Sequence, residues 1–149
     1  MTRERTLRER ALRLLAGREH SRLELKRRLE AYAGDPAEID ALLDELVRAR
    51  LLSDDRYAEA RAHTLSRRYG SLRLAHDLKQ QGVNEVARER VVAEARRTDL
   101  ERAREVWRKR FGTLPRNAQE RAKQMRFLQS RGFASEVIRS VVQGDDEAP

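Results

Sequence analysis

The side chains in this chain that could act on a partner are mostly guanidinium groups. Arg67, Arg68 and Arg73 flank an Arg68-Tyr69-Gly70 turn, and Arg108, Lys109, Arg110 and Arg116 flank a parallel Arg110-Phe111-Gly112 turn. Arg121, Lys123, Arg126 and Arg131 follow on the next helical segment. A guanidinium donates hydrogen bonds in a planar fork that matches carboxylates and phosphates. A contact surface shared by the two turns would set these charges along one stripe; an ordinary solvated face is the competing reading. Tyr69, Phe111 and Trp107 could stack on bases, although core packing suits Phe111 and Trp107 better. Catalysis has no comparable set. His20, His63 and His76 are scattered without metal-ligand spacing. The Asp54-Asp55 pair is accounted for by the dipole of a helix N-terminus. Glu24 with Arg27 and Arg28, Glu101 with Arg104, and Glu105 with Lys109 have the spacing of helix-surface ion pairs. No phosphate-cradling Gly-x-x-x-x-Gly-Lys-Ser/Thr loop occurs. The expectation is a protein with no catalytic residue, no metal and no cofactor.

Composition points the same way. The chain has 149 residues, of which 39% are hydrophobic and another 39% charged. A single deep core does not suit such a mixture, whereas small helical modules with one apolar face each do. Net charge is +8, which favours an anionic partner such as nucleic acid or an acidic protein surface. The excess is uneven: residues 1–56 hold 13 basic against 12 acidic side chains, while residues 100–143 hold 11 against 4. Cysteine is absent, which excludes disulfides and thiolate metal sites. No apolar run approaches the roughly 18 residues of a membrane span, and the first ten residues lack the apolar middle of a signal peptide. A cytoplasmic monomer away from membranes is expected.

The elements that must position the arginines are helices. No stretch alternates apolar and polar residues long enough for a sheet. Ser21-Arg22-Leu23-Glu24, Asp35-Pro36-Ala37-Glu38 and Thr98-Asp99-Leu100-Glu101 have the form of capping boxes. Ser53, Ser71 and Asn84 are further caps, and Gly34, Gly70, Gly82, Gly112 and Gly132 mark boundaries. Helices are predicted near 4–17, 21–33, 36–50, 54–69, 71–81, 84–97, 99–111, 115–131 and 134–142. They group in threes. Leu29, Leu78 and Leu128 recur at intervals of about 50 residues, and Gly82 and Gly132 each follow their leucine by four. Such a glycine can take the left-handed conformation that ends a helix, with Val83 or Phe133 folding back onto it. The fold predicted is all-α: three tandem three-helix repeats, at residues 1–52, 53–97 and 98–143, in an elongated, curved array. An acidic disordered tail is expected at 144–149.

The middle of the chain carries a more specific pattern. Leu52-Ser53-Asp54-Asp55-Arg56-Tyr57-Ala58 leads to Arg68-Tyr69-Gly70-Ser71-Leu72-Arg73 and then to Leu78-Lys79-Gln80-Gln81-Gly82-Val83. Before it stands His20-Ser21-Arg22-Leu23-Glu24-Leu25; after it, Arg126-Phe127-Leu128-Gln129-Ser130-Arg131-Gly132-Phe133. In order and spacing these segments resemble the RecX family over about residues 8–142, with Asp54, Tyr57, Gly70, Leu78, Gly82, Gly132 and Phe133 as its structural positions. The turn at Arg68-Tyr69-Gly70 and the second-helix end at Ala33-Gly34-Asp35 depart from the common family form, at capping and packing positions. The resemblance implies a regulator of the RecA recombinase that binds its filament on single-stranded DNA. It also implies suppression of ATP hydrolysis and strand exchange in recombination and repair. Direct, nonspecific binding to single- or double-stranded DNA through helix-turn-helix-like repeats is the alternative. Against sequence readout, the third helices are not the basic ones: 84–95 mixes Arg88 and Arg90 with Glu85, Glu89 and Glu94.

Overall fold

In a computed structural model of the chain, residues 4–144 are described, and among them all regular structure is helical. Of the acidic tail expected to be disordered at 144–149, residues 145–149 lie outside these residues, while Gly144 is described, in a left-handed conformation (φ 79°). The helices are α1 (Leu7–Gly17), α2 (Arg22–Leu29, followed by a 3-10 turn Glu30–Tyr32), α3 (Pro36–Arg48), α4 (Asp54–Leu65), α5 (Ser71–Gln80), α6 (Glu85–Arg96), α7 (Asp99–Arg110), α8 (Ala118–Ser130) and α9 (Ser135–Gln143).

Local chemistry explains most of the helix starts. Ser21 Oγ accepts from the Glu24 N–H at 3.0 Å, Ser53 Oγ from Arg56 at 3.1 Å and Asn84 Oδ1 from Ala87 at 2.9 Å, each satisfying one of the donors that a helix N-terminus leaves open. Asp35 accepts from the Ala37 N–H at 2.9 Å, with Pro36 in the first turn. Other boundaries differ from the sequence expectation for visible reasons. Helix α8 starts at Ala118 because Asn117 caps the Glu120 N–H while the Glu120 carboxylate accepts from the Arg116 N–H at 2.8 Å. Helix α4 ends at Leu65, where the Thr64 and Ser66 hydroxyls bond to the Ala60 and His63 carbonyls. Thr98 makes no capping bond and Ser71 is not a cap but the first residue of α5, with Gly70 before it.

Each group of three helices encloses its own core. Leu25, Leu29, Ile39, Leu43, Leu46 and Leu52 form the first, with Ala11 and Leu42; Tyr57, Ala58, Leu74, Leu78, Val83 and Val91 belong to the second; Leu128, Phe133, Ile138, Val141 and Val142 to the third. Val83 and Phe133, the residues that follow Gly82 and Gly132, fold back and are 2% and 1% exposed. The accessible surface is 10089 Å², against roughly 7,800 Å² for a compact monomer of this mass. Three small cores in a row leave more surface in water than one large core would.

The repeats join by a recurring device. The acidic residue that opens the first helix of one repeat accepts from the first N–H of the second helix in the preceding repeat: Asp54 from Arg22 at 2.9 Å, and Asp99 from Ser71 at 3.1 Å. The glycine that ends the second helix of one repeat also lies against the start of the preceding second helix. Gly82 (φ 70°) meets Leu23, and Gly132 (φ 87°) meets Arg73. The three second helices therefore run head to tail along the array.

Candidate partner-binding face

The second joint positions the basic turns. Gly70 and Leu72 donate their N–H groups to the carbonyls of Arg131 and Gly132, at 2.8 and 3.1 Å, so α8 ends where α5 begins. A Cβ on Gly70 would lie 2.4 Å from the Gly132 oxygen and 2.6 Å from Phe133 Cδ1. Glycine is required here by close approach, not by backbone angle, since its φ is −88°. Beneath the turn, buried Asp99 also accepts from the Ser71 hydroxyl and from Arg102. Arg102 in turn donates to the carbonyls of Tyr69, Ser66 and Ala95. A half-buried guanidinium with this many acceptors is satisfied rather than stranded. Burial lowers the Arg102 pKa while Asp99 opposes the shift.

Over this support, cations and rings alternate. The Arg73 guanidinium lies 4.4 Å from the Tyr69 ring centroid; Arg131 lies 5.4 Å from Tyr69 and 5.1 Å from Phe127; Arg110 lies 5.3 Å from Phe127. Phe111 meets Phe127 edge-on at 5.5 Å. Each such contact contributes about 0.5–1 kcal/mol at an exposed site. More to the point, it fixes a guanidinium while leaving its N–H edges free for an acceptor.

The expected residues divide accordingly. Arg73, Arg110 and Arg131 come together in this ladder, and Arg67 and Arg68 stand exposed in the adjoining turn. Among the described residues none of these five makes an ion pair. Arg108 and Lys109 both face Glu105, at 3.4 and 3.9 Å. Arg116 and Lys123 line a separate small cleft beside Phe111. Arg126 is exposed on α8, and Arg121 is half-buried. Trp107 is committed internally, donating to Gln124 at 2.8 Å while Gln124 donates to the Thr113 carbonyl at 3.0 Å. Several cations elsewhere are neutralised: Arg61 forks onto Asp77, Arg56 meets Glu19, and Arg90 meets Asp55 and Glu59.

Phe127, Asp99 and Arg102 escaped the sequence reading as parts of this face. The available signal was the echo of Ser53-Asp54 in Thr98-Asp99, which marks Asp99 as the opening acid of a repeat. Among the described residues no group of histidine, cysteine and carboxylate side chains could hold a metal ion, and no helix is long and apolar enough to cross a membrane.

Comparison with known proteins gives three consecutive family matches: "RecX, first three-helix domain" over residues 8–46, "RecX, second three-helix domain" over 53–92 and "RecX, third three-helix domain" over 98–142. A Leptothrix cholodnii protein named regulatory protein RecX is 47% identical over 137 residues, 92% of this chain and 87% of its own. A Chromobacterium violaceum protein of the same name is 45% identical over 146 residues, 96% of this chain and 94% of its own. The crystal structure of RecX from Lactobacillus salivarius superposes with a TM-score of 0.79 over 94% of both chains at 18% identity.

Proposed function

This chain belongs to the RecX family, and on that premise we propose that it is a negative regulator of the RecA recombinase. In this reading it docks on the RecA filament formed on single-stranded DNA and suppresses ATP hydrolysis and strand exchange. The observation that supports a docking role most directly is the ladder across the second joint. Arg73, Arg131 and Arg110 are held on aromatic rings and carry no carboxylate partner among the described residues. Preorganised guanidiniums lose little freedom on meeting carboxylates or phosphates, so more of the contact energy appears as affinity.

The test is DNA-dependent ATP hydrolysis by the cognate RecA, with this protein titrated from well below one copy per recombinase. It is run at two salt concentrations, on preformed and on assembling filaments. Suppression at substoichiometric ratios indicates capping or disassembly, and suppression only near one-to-one indicates occupation along the filament. The Arg73→Glu/Arg131→Glu variant is expected to need at least about tenfold more protein for the same effect, the loss of roughly 1.4 kcal/mol.

Direct DNA binding is the second reading, and the same unpaired cations favour it. It would be nonspecific. In α6, the third helix of the second repeat, Arg90 is paired with Asp55 and Glu59, and Arg88 bonds the Val83 carbonyl. Binding to bare DNA should fall steeply with salt as counterions compete. Retained DNA binding with no effect on ATP hydrolysis would remove the recombinase reading.

A further inference from the structure

A second concentration of unpaired charge lies in the first repeat, away from the ladder. On α1 and α2, Arg8, Arg22 and Lys26 meet carboxylates of α3, and Arg18 in the loop between them meets Glu24. Arg5, Arg10, Arg13 and Arg28 meet none among the described residues. All four open onto one cleft of about 630 Å³, which Arg18 and His20 also line and which no acidic side chain among the described residues lines. A concave site bounded by one sign of charge focuses the field on an anion, and its size falls in the range of small-ligand sites.

Two further observations point to a ligand. The His20 side chain lines this cleft and is 2% exposed. Its Nδ1 faces the Arg18 carbonyl at 3.0 Å and therefore carries the proton, while Nε2 is buried with no partner. A buried polar atom left unsatisfied is costly and calls for a functional account. At the rim, the Arg10 guanidinium sits 3.8 Å from the centroid of the Tyr32 ring, and Tyr32 is 57% exposed. Guanidinium forks suit phosphate oxygens, and an exposed arginine–tyrosine stack suits a base.

We propose that the cleft between α1 and the end of α2 binds a nucleoside phosphate, with Arg5, Arg13 and Arg28 on the phosphates and the Arg10–Tyr32 stack beside the base. In this arrangement His20 Nε2, protonated as the anion enters, donates to a phosphate oxygen. The charged groups around that ring are Arg10 and Arg13 from α1, Arg18 from the connecting loop, and Glu24 and Arg28 from α2. Burial, with Arg18 and Arg28, disfavours the charged ring; a bound phosphate reverses the balance. The phosphate could come from a free nucleotide or from the 5′ end of a strand.

The experiment is calorimetric titration of the full chain with ATP in a phosphate-free buffer at about 150 mM salt, where loose surface attraction is screened. One saturable site is expected, weakened at least about tenfold in Arg13→Ala/Arg28→Ala, unchanged in Arg73→Ala/Arg126→Ala, and at least about tenfold weaker for adenosine. Competition by a 5′-phosphorylated dinucleotide but not its 5′-hydroxyl form assigns the strand end as ligand; competition by neither assigns the free nucleotide. Both results uphold the site. In the unaltered chain, the His20 ring resonances, assigned through His20→Gln, should move on saturation with ATP. No saturation up to about 5 mM, equal weakening by the Arg73→Ala/Arg126→Ala control, or a silent His20 would overturn the proposal.

Discussion

At the scale of single residues, similar side chains have opposite assignments here, and the difference lies in what surrounds them. Asp54 and Asp99 each accept from a backbone N–H of the preceding repeat. The cost of burying Asp99 is offset by Arg102 and Ser71. His20 differs from His63 and His76, which are exposed. Burial comes first among the causes that lower its pKa from the usual value, ahead of the opposing bond that the ring donates to the Arg18 carbonyl and the repulsion of Arg18. A histidine whose folded pKa lies below its unfolded pKa binds its proton more readily when unfolded. It therefore contributes no penalty above the unfolded value, and stability is lost as pH falls through 6.5 toward the folded value. In phosphate-free buffer the melting temperature should drop between about pH 7.5 and pH 5.5, and His20→Gln should flatten that drop. A slope unchanged by the substitution would assign the effect to other groups.

At the scale of elements, the joints matter more than the helices. Helices of 8 to 13 residues are too short to persist alone, so each depends on the small core it shares and on its junction with the next repeat. The second joint is the more tightly specified. Gly70 faces the Gly132 backbone, and Gly132 faces the backbone of Arg73, whereas Gly82 at the first joint faces only the Leu23 side chain. Gly70→Ala should therefore destabilise the chain by about 1–3 kcal/mol through overpacking, measured by urea unfolding. Hydrogen exchange should accelerate first at the Gly70 and Leu72 amides, which bridge the repeats. Gly34→Ala, with nothing within 4 Å of the added carbon, is the matched control and should change little. Equal effects at the two positions would mean that the joint is not what Gly70 supports.

At the scale of the whole molecule, the proposed function would let three modules in series make separate weak contacts with a repeating partner. Once one repeat is seated, the others bind at an effective concentration set by the short connections, in the millimolar range. A RecX-family chain acting on a RecA filament should therefore bind filament more tightly than free recombinase, by at least about tenfold, in a fluorescence-anisotropy titration. Equal affinity for the two forms would remove bridging from the mechanism.

The sequence by itself determined the helices, their grouping in threes and the leucine–glycine–Val/Phe ends. These rest on a 3.6-residue period and on caps that act within one turn, so a single segment contains all the information they need. Arg73 and Arg110 were legible as candidates for the same local reason, because they flank turns that repeat, and Arg131 because it lies on the basic helical segment that follows. Only the tertiary structure decided which charges are spent. With 33 cationic and 25 acidic side chains, spacing permits many pairings, and docking chooses among them by bringing a few groups within about 4 Å. That choice commits Arg61 to Asp77 and Arg90 to Asp55, leaves the ladder without carboxylate partners among the described residues, turns Asp99 from a helix-start residue into the clasp of a joint, and gathers Arg5, Arg10, Arg13 and Arg28 around His20. Contacts between residues about 30 positions apart leave no periodic mark on the sequence, because the distance that matters exists only after the repeats have stacked.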